Sequence, residues 1–271
     1  MTDMPIGIFD SGIGGLTVLK EVFRVLQKES TLYLGDTARV PYGIRSAETV
    51  TRYAFENIGF LMAKGIKLLV VACNTVSAVS LDAIQGRLPI PVVGVIAPGA
   101  RAAVRATRNR RVGVIGTETT INSSAYSRVI RQMDGDIEVF GLPCPLFVPL
   151  VEEGLTDDEI AVMVAERYLG HLRGEGIDTL VLGCTHYPLL KGVIGRVMGR
   201  DIALIDSAVE TVREVNEILI RDGITSHTSG RPARHFYVTD TPDKFIRVGE
   251  RFLGQQIEEI EKIDIGGGHE T

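Results

Sequence analysis

The chain has 271 residues, enough for one large domain or two small ones, and its 45% apolar and 23% charged residues are typical of a folded protein. Its net charge of −5 disfavours broad nucleic-acid binding, which depends on neutralising phosphates with Lys and Arg. We expect neither a membrane span nor a secretory signal, and because three cysteines are too few for a disulfide framework, we expect a cytoplasmic protein.

Short apolar runs alternate along the chain with amphipathic stretches. Such runs, rich in Val and Ile, indicate strands buried on both faces, and the amphipathic stretches indicate connecting helices, for example at 16–26 and 49–63. The alternation predicts an α/β fold with parallel sheets flanked by helices. In chain order, the predicted strands are residues 6–9, 31–34, 68–71, 92–96, 112–115, 137–140, 180–182 and 202–205.

The two parts of this pattern resemble each other. Residues 6–11 are similar to 112–117, and residues 69–75 are similar to 180–186, at spacings of 106 and 111 residues. Four such matches in one order predict two similar domains, related by a pseudo-two-fold axis, with the active site in the cleft between them. We expect the first domain to comprise residues 1–97 and 209–271, and the second residues 98–208.

Beyond residue 208 the pattern changes. A predicted helix at 209–220 leads into a polar loop at 221–231, a lone strand at 235–238 and a final helix near 244–253. We expect this C-terminal part to pack on the first domain or to span both.

Polar residues follow the predicted strands, at the edge where parallel α/β sheets bind ligands. Cys73 and Cys184 occupy equivalent places in the two halves. Two thiols facing each other across a cleft suit the inversion of a stereocentre, because one removes a proton while the other returns one to the opposite face. A free thiol has a pKa of about 8.5, so each needs a neighbouring acid or base, and Asp10 and His186 are the candidates. The side chains placed to hold substrate carboxylates are Ser11, Asn74, Thr75 and Thr185.

Four stretches make the chain similar to a known family. They are residues 7–18 (GIFDSGIGGLTV), 33–43 (YLGDTARVPYG), 70–75 (VVACNT) and 182–188 (LGCTHYP). Together and in this order they resemble the glutamate racemases of the cofactor-independent aspartate/glutamate racemase family, over about residues 5–255. The resemblance implies interconversion of L-glutamate and D-glutamate, which supplies D-glutamate for peptidoglycan, with no cofactor and no metal.

The resemblance also implies roles for individual residues. Cys73 and Cys184 would be the two acid/base thiols. Asp10 and His186 would assist them. The residues implied in substrate binding are Asp10, Ser11, Tyr42, Gly43, Asn74, Thr75, Thr185 and His186.

Four further positions carry less weight. Thr117 and Thr120 match positions that often line the site in the family. Glu152 matches a carboxylate sometimes given a supporting role, and we do not include it in the predicted site. Glu118 departs from the family, whose members tend to have a smaller or apolar residue there. Whether residues 117–120 contact the substrate is therefore left open.

Each of these residues, taken alone, has a simpler explanation. A cysteine is often a small buried apolar residue, and Cys144, between two prolines, is expected to be structural. Asp10 could be an ordinary helix cap, and His186 a core histidine. A zinc site at Cys73, Cys184 and His186 lacks a clear fourth ligand and is disfavoured.

Three alternative functions stay open: a racemase of the same fold acting on aspartate or another amino acid, a non-catalytic binding role, and a two-domain small-molecule binding protein. His186 favours glutamate, because aspartate-specific relatives tend to carry Glu at this position. Some relatives are reported to bind DNA gyrase, which the net acidity restricts to a weakly supported side activity here. We therefore expect glutamate as the ligand, a homodimer, and neither membrane nor nucleic acid as a partner.

Overall fold

The computed structural model describes residues 2–266, and its secondary structure consists of short strands joined mainly by helices. The strands are β1 (Ile6–Asp10), β2 (Thr31–Gly35), β3 (Leu68–Val71), β4 (Val92–Gly94), β5 (Arg111–Gly116), β6 (Glu138–Pro143), β7 (Thr179–Gly183), β8 (Ala203–Ile205), β9 (Arg234–Val238) and β10 (Ile260–Lys262). The helices are α1 (Leu16–Val25), α2 (Ala47–Ala63), α3 (Asn74–Val79), α4 (Leu81–Gln85), α5 (Ile96–Ala106), α6 (Glu118–Asn122), α7 (Ala125–Met133), α8 (Phe147–Glu152), α9 (Glu159–Gly174), α10 (Lys191–Met198), α11 (Ser207–Arg221) and α12 (Pro242–Leu253), with a 3-10 turn at Tyr187–Leu190.

The strands form two parallel sheets. The first has the order β10-β9-β2-β1-β3-β4 and the second the order β6-β5-β7-β8. Every residue of β1, β2, β3 and β7 is buried, which is why these strands are continuous apolar runs rather than alternating ones. The order β2-β1-β3-β4 recurs as β6-β5-β7-β8. The predicted α/β fold with two similar parallel sheets is confirmed, and below we call each sheet with its helices the first and the second half.

The C-terminal part completes the first half. The strand predicted to stand alone, at 235–238, instead pairs in parallel with β2 and with β10. Strand β10 was missed because its three residues, Ile-Glu-Lys, lie half-exposed at the sheet edge and form no apolar run. The strand predicted at 92–96 ends at Gly94, because Ile96 already belongs to α5.

Helix α11 joins the two halves. It begins after Asp206, whose carboxylate accepts a hydrogen bond of 3.0 Å from the Ala208 amide. It buries Val212, Val215 and Leu219 on one face and packs against α1, α5 and β4, with further contacts to β7. The predicted division of the chain at residues 97 and 208 stays a prediction; its first boundary falls inside α5, which packs against both α7 and α11.

The largest apolar cluster runs through both halves. It includes Ile6 and Ile8 of β1 together with Leu180 and Leu182 of β7. The two sheets are therefore connected by a common core. Among the helices within residues 2–266, none is both long and apolar enough to cross a membrane.

A buried ion pair ties the loop after α11 to the first sheet. Lys67 Nζ lies 2.5 Å from Glu29 Oε2, and the two side chains are only 1% and 3% exposed. Lys67 also donates hydrogen bonds to the carbonyls of Thr2 and Ile224, at 2.7 and 2.8 Å. The Ser226 amide donates to Glu29 Oε1 at 2.8 Å. Both charges are thus paired inside the protein, as a buried ion pair requires, while Glu29 Oε2 meets Lys67 without a hydrogen bond among the described residues.

Candidate active site

One cavity, with a volume of about 410 Å³, lies where the carboxyl ends of β1, β3, β5 and β7 approach one another. All but one of the ten predicted site residues line it, and only Asp10 does not. The nine that line it are Ser11, Tyr42, Gly43, Cys73, Asn74, Thr75, Cys184, Thr185 and His186. The two thiols therefore share one cavity, and neither is sealed away from it.

The first thiol lies in an environment that keeps it neutral. Cys73 follows β3 directly and caps the N-terminus of α3, and it is 5% exposed. Its Sγ lies 3.4 Å from Ser11 Oγ. Burial raises the pKa of Cys73 to about 12; the nearby Asp10 adds to this, while the hydrogen bond with Ser11 opposes it. At neutral pH this group is a protonated thiol.

Asp10 lies behind the cavity wall, at the end of β1. Its Oδ2 accepts a hydrogen bond of 2.9 Å from the Gly12 amide, while Oδ1 has no hydrogen-bond partner among the described residues. Burial raises the pKa of Asp10, and the charge of His186 and three backbone amides partly offset this. A Cβ at Gly15 would lie 2.5 Å from Asp10 Cβ, so only glycine allows the chain to pass this close.

The second thiol lies at one end of a series of contacting polar and charged side chains. Cys184 follows β7 and is 7% exposed, and its Sγ lies 3.8 Å from His186 Nδ1. On the other side of the ring, Nε2 lies 3.3 Å from Glu152 Oε1. Glu152 Oε2 in turn lies 3.4 Å from Lys244 Nζ on α12. This series of side-chain contacts thus connects the thiol of the second half to a helix of the first half.

Hydrogen bonds determine the charges of His186 and Glu152 in this series of contacts. Burial lowers the pKa of His186, but hydrogen bonds with Cys184 and Glu152 outweigh it and raise that pKa to about 10. The bond with His186 is also the main reason that the pKa of Glu152 is lowered. The imidazole beside the Cys184 sulfur is therefore cationic at neutral pH.

The loop after β1 packs tightly on the second half. A Cβ at Gly14 would lie 2.2 Å from Thr185 Oγ1 and 2.5 Å from His186 Nδ1. Thr17 Oγ1 lies 3.1 Å from the Thr185 carbonyl oxygen and donates a hydrogen bond to it. The glycines of this loop therefore allow close packing of the two halves beside the thiols.

Tyr42 is held by a buried carboxylate. Its hydroxyl donates to Asp36 Oδ2, which also accepts from Asn57 Nδ2 at 3.0 Å and pairs with Arg39 Nε at 2.7 Å. Thr239 Oγ1 donates to the other oxygen, Oδ1, at 2.8 Å. Burial and the neighbouring Asp36 raise the pKa of Tyr42, so its hydroxyl stays neutral and its ring is fixed in the cavity wall.

Hydroxyl and amide groups line the side of the cavity near α3. Thr75 Oγ1 lies 3.0 Å from Thr117 Oγ1 and 3.4 Å from Thr120 Oγ1, and of the latter two only Thr117 lines the cavity. Asn74 Oδ1 accepts a hydrogen bond of 2.8 Å from the Tyr126 hydroxyl. Its Nδ2, although buried, has no partner among the described residues. This amide is a donor available to a ligand oxygen.

The charged groups of the cavity wall are acidic or histidine. Among the described residues, no Lys or Arg lines the cavity, and its carboxylates are Glu118 and Glu152. Within residues 2–266, no group of three or more His, Cys, Asp and Glu side chains is placed to hold a metal ion. Apart from the cationic His186, the groups that could bind an anionic ligand are therefore neutral hydrogen-bond donors.

Residues 6–215 match the model of the Asp/Glu/hydantoin racemase family. The chain belongs to this family. A glutamate racemase of Geobacter metallireducens is 57% identical over 260 residues, covering 96% of each chain. Glutamate racemase from Francisella tularensis, solved in complex with D-glutamate, matches with a TM-score of 0.93 and 39% identity, covering 97% of this chain and 98% of that one. The Thermus thermophilus enzyme, in complex with β-chloro-D-alanine, matches with a TM-score of 0.89 and 46% identity over 97% and 98%.

The structure of this family member adds residues to the predicted site. Glu152, which the sequence analysis set aside, lines the cavity and contacts His186. Asp36, inside the second family stretch, was missed because a fully buried carboxylate cannot be told from a turn residue by sequence. Cys144 lies outside the cavity lining; its carbonyl accepts a hydrogen bond of 2.8 Å from Tyr187, as fits a structural residue.

Proposed function

We propose that this protein is a glutamate racemase that interconverts L-glutamate and D-glutamate with two thiols and no cofactor. The observation that carries the proposal is that Cys73 and Cys184, which follow corresponding strands of the two sheets, line one cavity. The 57% identity to a glutamate racemase supports glutamate as the substrate, and so does the D-glutamate bound to a relative with nearly the same fold.

The proposed reaction consists of two proton transfers. One sulfur, as thiolate, removes the α-proton of the substrate and becomes a thiol. The other sulfur, as thiol, donates its proton to the opposite face of the carbanion and becomes a thiolate. The product has the inverted configuration, and the enzyme has exchanged which sulfur carries the proton. Each direction therefore begins from a different protonation state.

The surroundings of the two sulfurs suggest which state the empty enzyme adopts. Cys73 is neutral, with a pKa raised to about 12, whereas Cys184 faces a positive His186. We infer that Cys184 is the base and Cys73 the acid for the first substrate molecule. Asp10, whose pKa burial raises, is placed to accept the Cys73 proton when the opposite state is required.

Neutral donors are proposed to hold the substrate carboxylates. The α-carboxylate gains charge in the carbanion, so donors fixed around it stabilise that intermediate. The unpartnered Asn74 Nδ2 is available for this role. The other candidates are the hydroxyls of Ser11, Thr75 and Thr185 and the backbone of Gly43, all in the cavity wall. The Tyr42 hydroxyl already donates to Asp36, so Tyr42 would contribute through its ring or its backbone.

Circular dichroism of amino-acid solutions tests the proposal directly. With enzyme present, the signal of L-glutamate should decay to zero, and that of D-glutamate should decay from the opposite sign. L-aspartate should keep its signal under the same conditions. Decay of the aspartate signal alone would assign the enzyme to the aspartate alternative, and no decay with either substrate would contradict racemase activity.

The wider cellular role is also a proposal. Supply of D-glutamate for peptidoglycan synthesis in the cytoplasm, by a homodimer, follows from the family resemblance. The three cysteines, all free, suit a reducing compartment. A gyrase interaction stays a prediction. Sedimentation of the purified protein would measure its oligomeric state.

We expect Glu152→Gln to shift the pH profile of the enzyme. The carboxylate keeps the pKa of His186 raised, so its removal lowers that pKa. The cationic form is present below the pKa and is lost as the pH rises through it. The alkaline limb of kcat/KM should therefore move to lower pH, by about one unit. Measurements from pH 6 to 11 check this, with Glu153→Gln as a matched control at an exposed neighbour. An unmoved alkaline limb would contradict the assigned role.

We expect Glu118→Gln to speed substrate capture. Glu118 is exposed, lines the cavity and forms no ion pair within the described part of the chain, so it repels glutamate, whose net charge is −1. At low ionic strength kcat/KM should rise about threefold with kcat unchanged, and the gain should vanish in high salt. Glu217→Gln, at an exposed position outside the cavity lining, is the control. A salt-independent effect would exclude the electrostatic explanation.

A further inference from the structure

Residues 42–45, here called the mouth segment, separate the cavity from solvent. Tyr42, Gly43 and Ile44 line the cavity, and Ile44 is at the same time 61% exposed. One end of the segment is fixed to the first half, because the Tyr42 hydroxyl donates to the buried Asp36. Among the described residues, the rest of the segment forms no such bond to the first half outside the segment itself.

A single residue of the second half holds the other end. Thr119, on α6, has its hydroxyl oxygen 2.9 Å from the Gly43 carbonyl oxygen and 3.0 Å from that of Arg45. Its one hydroxyl proton is thus shared between two acceptors on either side of Ile44. The Thr119 amide also donates to the Gly43 carbonyl, at 3.0 Å. These hydrogen bonds all cross from one half to the other.

The two halves are in direct contact at this point. A Cβ at Gly43 would lie 2.6 Å from Thr117 Cβ, so the mouth segment lies against α6 with no room for a side chain. Both Thr117 and Glu118, the residues just before Thr119, line the cavity. The bonds of Thr119 therefore lie at an exposed part of the cavity rim, next to Ile44 and Glu118.

We propose that Thr119 is a positioning residue that keeps the mouth of the cavity closed by binding the mouth segment to the second half. It touches no substrate; it acts through Gly43 and Tyr42, which the proposed function assigns to substrate binding, and the inference rests on that function. Opening the mouth breaks the bonds of Thr119, and closing it around glutamate restores them. Loss of the hydroxyl raises the population of the open form, in which both thiols are more accessible.

Alkylation of the two cavity thiols tests the closure without using catalysis. The substrate-free protein is treated with iodoacetamide, and labelling of each cysteine is followed by mass spectrometry. Thr119→Val keeps the shape of the side chain but loses the hydroxyl, so Cys73 and Cys184 should be labelled about fivefold faster than in the wild type. Thr119→Ser, which keeps the hydroxyl, should restore the wild-type rate. Thr119→Ala should behave like the valine variant, which separates hydroxyl loss from any packing effect of valine.

Two references make the labelling result specific. Cys144, buried outside the cavity, reports global opening and should be labelled equally slowly in every variant. Thr51→Val removes a half-buried hydroxyl that bonds within the first half, to Ala47 and Ser80, and should leave all rates unchanged. Equal labelling of wild type and Thr119→Val, or failure of Thr119→Ser to restore the rate, would overturn the proposal.

Steady-state kinetics complete the test. In Thr119→Val, KM and kcat for both glutamate enantiomers should each change less than about twofold, because Thr119 makes the same bonds in the free and the bound closed form and the thiols themselves are untouched. An equal loss of kcat in the valine and serine variants would indicate a merely structural residue and overturn the proposal. If the wild type does not racemise glutamate while the labelling pattern holds, the proposed function fails and the closure by Thr119 stands.

Discussion

The Cys73→Ser and Cys184→Ser variants are each expected to lose racemisation by at least about 10³-fold. The reaction needs a base on one face of the α-carbon and an acid on the other, and a serine hydroxyl is neither near neutral pH. General acid–base groups typically contribute 10²–10⁴-fold, and here each thiol serves in both directions, so about 10³-fold is a conservative expectation. Circular dichroism at about 0.1–10 mM glutamate, a range that extends above the KM of roughly 1 μM to 1 mM typical of enzymes, measures the loss.

Each variant should nevertheless keep half of the chemistry. The remaining thiol can still remove the α-proton of the enantiomer that presents it and return a deuteron from D₂O to the same face. One variant should therefore exchange the α-proton of L-glutamate only, and the other that of D-glutamate only. Proton NMR of the recovered amino acid distinguishes exchange with retention from inversion.

A matched control is available in the same chain. Cys144 is also a buried free thiol, but it lies outside the cavity lining, so Cys144→Ser should keep racemisation within about threefold. Full racemisation by either cavity variant would reject the two-thiol mechanism. Exchange of both enantiomers by a single variant would place both protons on one sulfur and would reject the assignment of one face to each thiol.

The second large effect concerns stability. Lys67→Met is expected to lower the free energy of unfolding by about 3–5 kcal/mol, because it leaves the Glu29 carboxylate buried without its cation. It also removes the donor to the Thr2 and Ile224 carbonyls. Urea unfolding followed by far-ultraviolet circular dichroism measures this through the midpoint at constant slope.

Two further variants are needed to interpret the stability of Lys67→Met. Arg24→Met breaks a pair with Glu21 that is largely exposed on the arginine side, and it should cost no more than about 0.5 kcal/mol. The double variant Lys67→Met with Glu29→Leu should recover part of the loss, because no charge is then left buried. If Lys67→Met were no more destabilising than Arg24→Met, the buried pair would not act as described.

The sequence predicts the sheets well because buried parallel strands leave a clear signal. The apolar runs that form β1, β3 and β7 are all in place, and so are the cysteines that follow two of them. Strand β10 left no such signal, since its three residues are held by the partner strand β9 rather than by their own burial. The order of the strands within each sheet could not be predicted either, because the alternation of strands and helices indicates only that the strands are parallel.

The candidate site was predicted where residues stand directly after strands. Contacts between distant segments were not: Glu152 meets His186, and Thr119 meets Gly43, only because the two halves pack together. Asp10 shows a further limit. Its place at the end of β1 suggested a cavity residue, yet the carboxylate is buried and does not line the cavity, although it is close enough to raise the pKa of Cys73. Position along a strand predicts proximity to the site but not access to it.

The apolar cluster shared by both halves also constrains how the molecule can move. Ile13 and Leu16 of the first half belong to it together with Tyr187 and Leu190 of the second. Sliding one half over the other would expose this apolar surface to water, at a cost that grows with each Å². Rotation about the cluster, acting as a pivot, exposes far less. The gap should then widen most at the rim farthest from the pivot, so glutamate would enter through a wedge-shaped opening rather than a parallel slot.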